Sequence, residues 1–316
     1  MTRPLHIYLA DLTHKTTKAT NYTIPLNIGW SAAYLKKNFG NDVEMRLFKC
    51  PEKLLSAVRD HPPDVLGVSN YMWNYELNRL VTRIAKECRP TTTIISGGPN
   101  IRHTPDGSLS FLRDQKKIDI YAKFEGERAL EQVVARLLGD HKSLYDRPIP
   151  GCVYLREDKL VDGGDLPKTS KIVEYPSPYL SGFLDEFLND SLIPLFETNR
   201  GCPFKCTFCA WGVAALDRVT KFPIDQVIEE MSYVYKLRPD MPLWIFADAN
   251  FGMLKRDVDI AQEIRTIADK SKSLRQILIW WAKNSGENTK LIAEILGPLS
   301  VPYVCLLYTS PSPRDS

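Results

Sequence analysis

The sequence predicts an α/β protein with two parts: a doubly wound parallel sheet in the N-terminal half and a partial (β/α) barrel after it. Short runs that are apolar throughout recur along the chain, as expected for strands that are buried on both faces. Stretches with apolar residues at helical spacing separate these runs. The repeated order of strand, helix and strand is typical of a parallel sheet that helices cover on both faces.

The N-terminal half contains five strand-like runs, at residues 5–10, 43–48, 65–69, 93–96 and 118–123. Helical stretches accompany them, at residues 29–38, 51–59, 75–88 and 127–138. The helix at 51–59 begins with a proline, which suits a first helical turn, and the helix at 75–88 ends before Pro90. We therefore expect the sheet and its helices to occupy roughly residues 1–140.

Sheets of this kind bind ligands beyond the carboxyl ends of their strands, so the loops that follow the strands are the candidate binding loops. One loop holds Gly97-Gly98-Pro99, where paired glycines allow a ligand to approach the backbone. An ordinary turn explains an isolated Gly-Gly equally well. Another loop holds Glu125-Gly126-Glu127 at the start of a helix, where carboxylates also interact favourably with the helix dipole.

Residues 141–190 have the composition of a connector that is rich in proline. A hairpin is predicted within it, formed by residues 152–155 and 160–161 with a turn at Asp158-Lys159. The barrel part is expected at 191–305, with helices at 224–237, 258–268 and 289–296. Its strand-like runs lie at residues 192–196, 243–247, 277–282 and 303–307.

The composition narrows the class of protein. Apolar residues make up 44% and charged residues 25% of the 316 residues, which excludes a disordered chain, a collagen or a coiled coil. The net charge of +3 predicts no binding to nucleic acid or to an anionic membrane. No apolar run reaches the roughly 18 residues of a membrane span, and no signal peptide is evident, so we expect a cytoplasmic protein.

The strongest local signal is a loop with three cysteines. Cys202, Cys206 and Cys209 have the spacing C-x3-C-x2-C and follow the run at 192–196. Three thiolates suit a soft metal centre. A zinc site would need a fourth ligand, but the last histidine is His141 and the only later cysteine is Cys305. A four-iron cluster on three cysteines would leave one iron open to a substrate or cofactor. A zinc loop and chance spacing remain the alternatives.

Functional groups of (β/α) barrels lie at the carboxyl ends of the strands. Asp248, Asn250 and Phe251 follow one predicted strand, and Lys283-Asn284 follow the next. A helix cap or an Asx turn is the alternative role for Asp248 and Asn250.

With the aromatic Phe208 before its last cysteine, the loop resembles the signature of the radical S-adenosylmethionine (SAM) superfamily. The resemblance implies a [4Fe-4S] cluster on the three cysteines, whose open iron binds SAM and cleaves it to a 5′-deoxyadenosyl radical. The usual Gly-Gly-Glu form of the SAM site is absent. The resemblance nevertheless implies a set of SAM-binding residues: Phe208, Trp211, Gly212, Asp248 and Asn250. Filling of the core is the alternative role for Trp211 and Gly212.

The two halves together resemble the cobalamin (B12)-binding branch of that superfamily, over nearly the whole chain to about residue 305. The motifs that carry this resemblance include Gly97-Gly98-Pro99, Glu125-Gly126-Glu127, Ser177-Pro178-Tyr179 and Thr198–Cys202. It implies that the N-terminal sheet holds cobalamin through a set of loop residues: Ser69, Asn70, Trp73, Gly97, Gly98, Pro99, Glu125, Gly126 and Glu127.

The chain departs from one pattern of that branch. The Asp-x-His-x-x-Gly motif, which supplies an axial histidine, is missing, because Asp11 and His14 have a different spacing and no glycine follows in place. The branch often holds cobalamin without this histidine. A side chain of residues 70–73 would then lie beneath the cobalt, and Trp73 is our choice.

The resemblance implies an enzyme that transfers a methyl group from SAM to an unactivated carbon or to phosphorus, via methylcobalamin and the radical. A small-molecule substrate and an electron donor such as flavodoxin or ferredoxin are the implied partners. A radical cyclisation, rearrangement or oxidation is one alternative, and a cobalamin- or metal-binding protein without turnover is the other.

The last residues, 306–316, do not continue the barrel and resemble translated sequencing-adapter sequence. A native disordered tail is the alternative. Four strand-like runs follow residue 190, fewer than a complete radical SAM core has. We therefore expect a C-terminally truncated fragment whose uncovered strand edges make it poorly soluble.

Overall fold

The computed structural model describes residues 3–14, 22–139, 144–167, 171–190, 192–204, 206, 209, 218–282 and 286–301. The chain divides into two compact units, Met1–Thr169 and Ser170–Ser316. Each unit has its own parallel sheet, which confirms the predicted α/β class. No helix in the described ranges combines the length and the apolar composition that a membrane crossing requires.

The sheet of the first unit has seven strands. In chain order they are β1 (Leu5–Ala10), β2 (Val43–Phe48), β3 (Val65–Ser69), β4 (Thr93–Gly97), β5 (Ile120–Ala122), β6 (Cys152–Arg156) and β7 (Lys159–Asp162). In space their order is β2-β1-β3-β4-β5-β6-β7, and the first five are parallel. The order in which strands are added to the sheet reverses between β1 and β3, so the ligand crevice of such a sheet lies at the carboxyl ends of these two strands.

Among the described residues, five α-helices accompany this sheet: α1 (Leu26–Phe39), α2 (Pro51–Asp60), α3 (Tyr75–Cys88), α4 (Pro105–Asp114) and α5 (Gly126–Gly139). The bounds predicted for α3 are confirmed. The sequence analysis missed α4, although the Thr104 side chain caps it by accepting a hydrogen bond from the Gly107 N–H at 3.1 Å. Pro105 occupies its first turn. A Thr-Pro start is a helix signal, but the short apolar stripe that follows it gave little periodicity.

The predicted hairpin forms, with its turn at Glu157-Asp158, one residue earlier than predicted, and it belongs to the first sheet. β6 pairs antiparallel with β5, with Tyr121 opposite Val153, and β7 pairs antiparallel with β6. The hairpin was expected in the connector at 141–190, but the first compact unit extends through it to Thr169. Because β5 would otherwise be an edge strand, the hairpin supplies the hydrogen bonds that this edge lacks.

The described residues of the second unit form six short strands: β8 (Leu195–Phe196), β9 (Asn199–Arg200), β10 (Thr220–Lys221), β11 (Leu243–Phe246), β12 (Gln276–Leu278) and β13 (Ser300–Val301). Four helices accompany them: α6 (Asp185–Asn189), α7 (Ile224–Leu237), α8 (Asp257–Lys270) and α9 (Glu287–Leu296). The parallel sheet has the order β8-β11-β12-β13, and β9 pairs antiparallel with β10. Sequential parallel neighbours are the arrangement of a barrel segment. The strand predicted at 303–307 lies outside the described residues.

Aromatic side chains form the core of the second sheet. The ring of Phe196 lies 5.4 Å from that of Tyr179, 5.0 Å from that of Trp244 and 5.2 Å from that of Phe246. The Tyr179 hydroxyl also donates to the Leu195 carbonyl oxygen at 2.8 Å. The Ser177-Pro178-Tyr179 segment, singled out from the sequence, is therefore packed into this unit at the start of β8.

Candidate functional site

Polar side chains at the carboxyl edge of the first sheet are connected to one another. The Lys49 ammonium lies 2.8 Å from one carboxylate oxygen of Asp11, and the Ser69 hydroxyl donates to the other at 2.5 Å. The Asn74 amide donates to Ser69 Oγ at 3.2 Å and accepts the backbone N–H of Tyr71 at 2.8 Å. All four side chains that form these contacts are buried. This pathway of hydrogen bonds crosses the ends of β2, β1 and β3.

A second set of contacts joins the ends of β3 and β4. The Asn70 N–H donates to the Gly97 carbonyl at 2.7 Å, and the Asn70 side chain donates to the Asn100 carbonyl at 3.0 Å. Gly98 has a φ of +140°, and a Cβ there would lie 2.5 Å from the Asn70 carbonyl oxygen. Only glycine fits this position. The Tyr121 hydroxyl donates to the Gly98 carbonyl at 2.5 Å.

The loop between β3 and α3 carries an exposed apolar surface. The Tyr71 and Trp73 rings stack with centroids 4.4 Å apart and planes 7° from parallel. The exposed fraction of Met72 is 80% and that of Trp73 is 42%. Large exposed apolar side chains beside a ligand crevice are typical of a binding surface.

The third candidate loop follows β5. Phe124 has a φ of +52°, an unfavourable value for a bulky residue. The Glu125 carboxylate, just before α5, pairs with Arg128 in the first turn of that helix at 3.0 Å, and Glu127 is buried. Gly126 has open space around the position of a Cβ. The structure thus brings the predicted loops together along one sheet edge, with Pro99 exposed beside Gly98.

The cysteine loop lies after β9. Cys202 is buried, whereas Cys206 and Cys209 are partly exposed, and all three are free thiols. The Cys209 N–H donates to the Cys206 carbonyl at 3.1 Å, which places these two residues in one turn. Within the described ranges, no group of three or more His, Cys, Asp or Glu side chains has the arrangement that holds a metal ion.

Asn250 connects the end of β11 to this loop. Its Nδ2 donates to Cys202 Sγ at 3.1 Å, and its exposed fraction is 2%. Its Oδ1 is buried without a hydrogen-bond partner among the described residues. A cluster of thiols beside a buried amide donor is suitable for an iron–sulfur cluster, because hydrogen bonds to the ligand sulfurs stabilise such clusters.

Asp248 anchors the chain that enters the cysteine loop. Its Oδ1 accepts the backbone N–H groups of Thr198 at 2.9 Å and Asn199 at 2.8 Å. Its Oδ2 has no hydrogen-bond partner in the described part of the chain. Burial raises the pKa of Asp248 to about 7, because the charged form is poorly solvated.

Two residues that the sequence analysis missed support the same region. Asp257 accepts the backbone N–H groups of Gly252 at 2.8 Å and Leu254 at 3.0 Å, so it fixes the loop after Asn250. The Arg256 guanidinium donates to the Thr198 carbonyl at 2.8 Å. An aspartate in the first turn of a helix is a sequence signal for capping, but nothing in the sequence indicates which loop it holds.

Three of the predicted SAM-binding residues, Phe208, Trp211 and Gly212, lie outside the described residues, as do Lys283 and Asn284. The two other predicted residues, Asp248 and Asn250, are described, and their hydrogen bonds place them beside the cysteine loop. The ligand roles of these two residues, and of the residues on the first sheet edge, stay predictions.

Residues 15–134 match the B12 binding domain family. The cobalamin-dependent radical SAM methyltransferase TokK of Streptomyces tokunonensis is 32% identical over 231 residues, which are 71% of this chain and 33% of the relative. The 2-(S-pantetheinyl)-carbapenam-3-carboxylate methyltransferase of Streptantibioticus cattleyicolor is 32% identical over 249 residues, 77% of this chain and 35% of the relative. The chain thus spans about a third of the length of these curated relatives.

Among solved structures, the radical SAM methyltransferase TsrM from Kitasatospora setae, with cobalamin and a [4Fe-4S] cluster bound, has a similar fold. The TM-score is 0.65 with 15% identity, and the match covers 96% of this chain and 58% of that one. At this identity the likeness concerns the fold alone, and it extends over both units.

Proposed function

We propose that the chain belongs to the cobalamin-binding branch of the radical SAM superfamily and is part of a cobalamin-dependent methyltransferase. The first unit would hold cobalamin, and the second would hold a [4Fe-4S] cluster and SAM. When bound, cobalamin supplies a carrier for the methyl group, and the cluster with SAM supplies a radical that activates the acceptor. The observation that carries the proposal is the hydrogen bond from Asn250 to the cysteine loop.

The edge of the first sheet supports the cobalamin role. Gly98 closes tightly on Asn70, so the backbone there leaves no room for a side chain. Ser96, at the end of β4, has a buried hydroxyl without a hydrogen-bond partner in the described ranges. The Tyr71–Trp73 loop offers a flat aromatic surface in the same crevice. We propose that Trp73 would lie against the bound cobalamin, where its apolar ring would exclude water from the cobalt.

In the second unit, Cys202, Cys206 and Cys209 would be the cluster ligands. Asn250 Nδ2 would donate to the Cys202 thiolate, and its Oδ1 would accept a hydrogen bond from the ammonium group of SAM. Asp248 would hold the strand that leads to Cys202 and keep one oxygen open to the same ammonium group. One side chain would thereby position both the sulfur ligand and the cofactor.

We further propose a small-molecule substrate and an external one-electron donor such as flavodoxin or ferredoxin. We also propose that the atom that accepts the methyl group is an unactivated carbon or a phosphorus. We also propose a cytoplasmic location, because a reducing compartment would keep the thiols of Cys202, Cys206 and Cys209 available for iron.

Transfer of a labelled methyl group tests the proposal without knowledge of the acceptor. The chain would be reconstituted with iron and sulfide under anaerobic conditions, loaded with reduced cobalamin and incubated with methyl-labelled SAM. We expect protein-dependent label in the recovered cobalamin, together with formation of 5′-deoxyadenosine when a reductant is present.

Cys206→Ala should abolish iron binding and cleavage of SAM, because it removes a ligand that no other residue replaces. Cys88→Ala is the matched control: Cys88 is exposed at the end of α3, and its loss should change neither result. Cleavage of SAM without label in cobalamin would support a radical enzyme that does not transfer methyl groups. Equal background cleavage by wild type and Cys206→Ala would contradict the proposed enzyme.

A further inference from the structure

The buried contacts at the first sheet edge form one continuous path of side chains. It begins at the Lys49 ammonium, passes through the two carboxylate oxygens of Asp11 to the Ser69 hydroxyl, and continues through the Asn74 amide. It ends at the backbone N–H of Tyr71, 2.8 Å from Asn74 Oδ1. We call these four side chains, Lys49, Asp11, Ser69 and Asn74, the relay.

The relay joins elements that are far apart in sequence. Asp11 follows β1, Lys49 follows β2, Ser69 ends β3 and Asn74 precedes α3. Asn78 reinforces the same place, because its amide donates to the Ser69 carbonyl oxygen at 2.7 Å and to Asn74 Oδ1 at 3.3 Å. The polar groups therefore converge on the start of the loop that carries the aromatic residues.

Buried charge of this kind carries a high desolvation cost, which paired charges and satisfied hydrogen bonds offset. Lys49 occupies the cationic place beside Asp11, so the pair has no net charge and does not form an open cation site. Apolar residues of similar volume would stabilise the sheet to at least the same extent and would avoid this desolvation cost. The feature that an apolar core cannot provide is a directed hydrogen bond to the Tyr71 N–H.

The loop at the end of the relay has little packing of its own. Met72 is almost fully exposed, and Trp73 contributes mainly its stacking on Tyr71. A loop with few buried contacts depends on its hydrogen bonds for a single conformation. Tyr71 N–H is the donor that precedes both exposed side chains, so its acceptor sets where they lie.

We propose that the relay is a positioning device for cobalamin: it fixes the Tyr71–Trp73 loop so that the aromatic surface meets the lower face of the corrin ring. The inference rests on the proposed function, since it requires that the first unit binds cobalamin. The relay residues Lys49, Asp11 and Asn74 act through the loop and do not themselves contact the cobalt.

The test uses the full chain loaded with hydroxocobalamin, reduced to the cobalt(II) state and examined by electron paramagnetic resonance and visible absorbance. The variants are Asn74→Ala, which removes the acceptor of Tyr71 N–H, and Ser69→Ala, which interrupts the path at its centre. Thr92→Val is the matched control. It removes a buried hydroxyl that donates to the Pro63 carbonyl at 2.7 Å, at the amino edge of the same sheet.

In both relay variants we expect affinity for cobalamin to fall about tenfold, the equivalent of one lost hydrogen bond. The cobalt spectrum of the fraction that stays bound should also shift towards a form with water at the lower face. Thr92→Val should keep the wild-type spectrum even if its unfolding midpoint falls. Trp73→Ala should reproduce the spectrum of the relay variants.

The outcomes separate the inference from the proposed function. A wild-type chain that retains no cobalamin contradicts the proposed function and the inference with it. A wild-type chain that retains cobalamin, with relay variants of unchanged spectrum per bound cobalamin, overturns the inference alone. If Ser69→Ala fails to fold, the cobalt spectrum of Asn74→Ala tests the inference alone, because this variant leaves the charged pair of Lys49 and Asp11 intact.

Discussion

Asp11 and Asp248 occupy corresponding places in the two units, since each lies just beyond the carboxyl end of a parallel strand and each is buried. Their surroundings differ. Asp11 has both carboxylate oxygens paired, one with an ammonium and one with a hydroxyl. Asp248 uses one oxygen for two backbone N–H groups and keeps the other free of partners among the described residues.

The difference distinguishes two kinds of site. At the first edge, the four relay side chains pair with one another and form a fixed frame before any ligand arrives. Ser96 Oγ is a buried atom that we assign to this edge and that has no partner among the described residues, and it lies outside the relay. The second edge has open buried atoms on Asp248 and Asn250, which a bound ligand would satisfy. We therefore expect the first edge to depend on internal pairing for stability and the second to depend on iron and SAM.

The largest effect is expected from Lys49→Met, which leaves the Asp11 carboxylate buried without its cation. The free energy of unfolding should fall by about 3–5 kcal/mol, because an unpaired buried charge is poorly solvated. Asp248→Asn should not lower it, because the amide oxygen still accepts the two backbone N–H groups and no buried carboxyl then has to keep its proton. Urea unfolding of both variants gives the comparison, and equal losses would contradict the proposed difference between the edges.

Gly98→Ala should be the next most damaging change. The residue has a φ of +140° and a Cβ would lie 2.5 Å from a backbone oxygen, so the β3 and β4 ends must separate. We expect a loss of about 3 kcal/mol and reduced retention of cobalamin.

Gly126→Ala is the matched control for that change, because it belongs to the same predicted binding set but has open space around its Cβ position. Its unfolding midpoint should equal or slightly exceed that of the wild type. A wild-type midpoint for Gly98→Ala would show that the two strand ends are not held as closely as described.

The pH dependence of stability should arise mainly from the second unit. Burial raises the pKa of Asp248 to about 7 and that of Glu230, on α7, to about 7 as well. The folded state keeps these protons after the unfolded chain has lost them. The free energy of unfolding should therefore fall as pH rises from about 4 to about 7, by up to about 4 kcal/mol for Asp248 and about 3 kcal/mol for Glu230.

Glu230→Gln should make the free energy of unfolding depend less steeply on pH, because it removes one of the two titrating groups. Asp259 is exposed on α8, so Asp259→Asn should leave this slope unchanged. Urea midpoints measured across this pH range provide the data. A slope in Glu230→Gln as steep as that of the wild type would show that Glu230 ionises with little penalty in the folded protein.

The smallest effect is expected from Asn250→Leu in the iron-reconstituted chain. Loss of the hydrogen bond to Cys202 Sγ should lower the reduction potential of the cluster by about 40 mV, the one-electron equivalent of about 1 kcal/mol. A redox titration followed by electron paramagnetic resonance measures this shift, with Thr289→Val as a control at another buried polar atom of the second unit. An unchanged potential would mean that Asn250 does not contact the cluster ligand.

Local patterns predicted much of the fold because they depend on neighbouring residues. The strands β1, β2 and β3 and the helices α3 and α7 have the predicted bounds. The helix α4 was missed because its apolar stripe is short, and the pairing of the β6–β7 hairpin with β5 was missed because pairing depends on distant contacts.

The same limit applies to the site. Ser69 and Asn70 were predicted from the loop in which they lie, and the spacing of Cys202, Cys206 and Cys209 marked the cysteine loop. Lys49 belongs to no motif, and its partner Asp11 is separated from it by 38 positions. Asp257 and Arg256 likewise act on loops that only the tertiary structure brings near.

Retention of cobalamin by the iron-free chain tests the central claim most directly. The protein would be mixed with hydroxocobalamin, passed through a gel filtration column without added iron or SAM, and its visible spectrum recorded. If the paired relay holds the first edge in place before cobalamin binds, near-stoichiometric cobalamin should stay bound. Its spectrum should lack the features of histidine or benzimidazole ligation. An eluted protein free of cobalamin would contradict the claim that this edge is a cobalamin site formed in advance of its ligand.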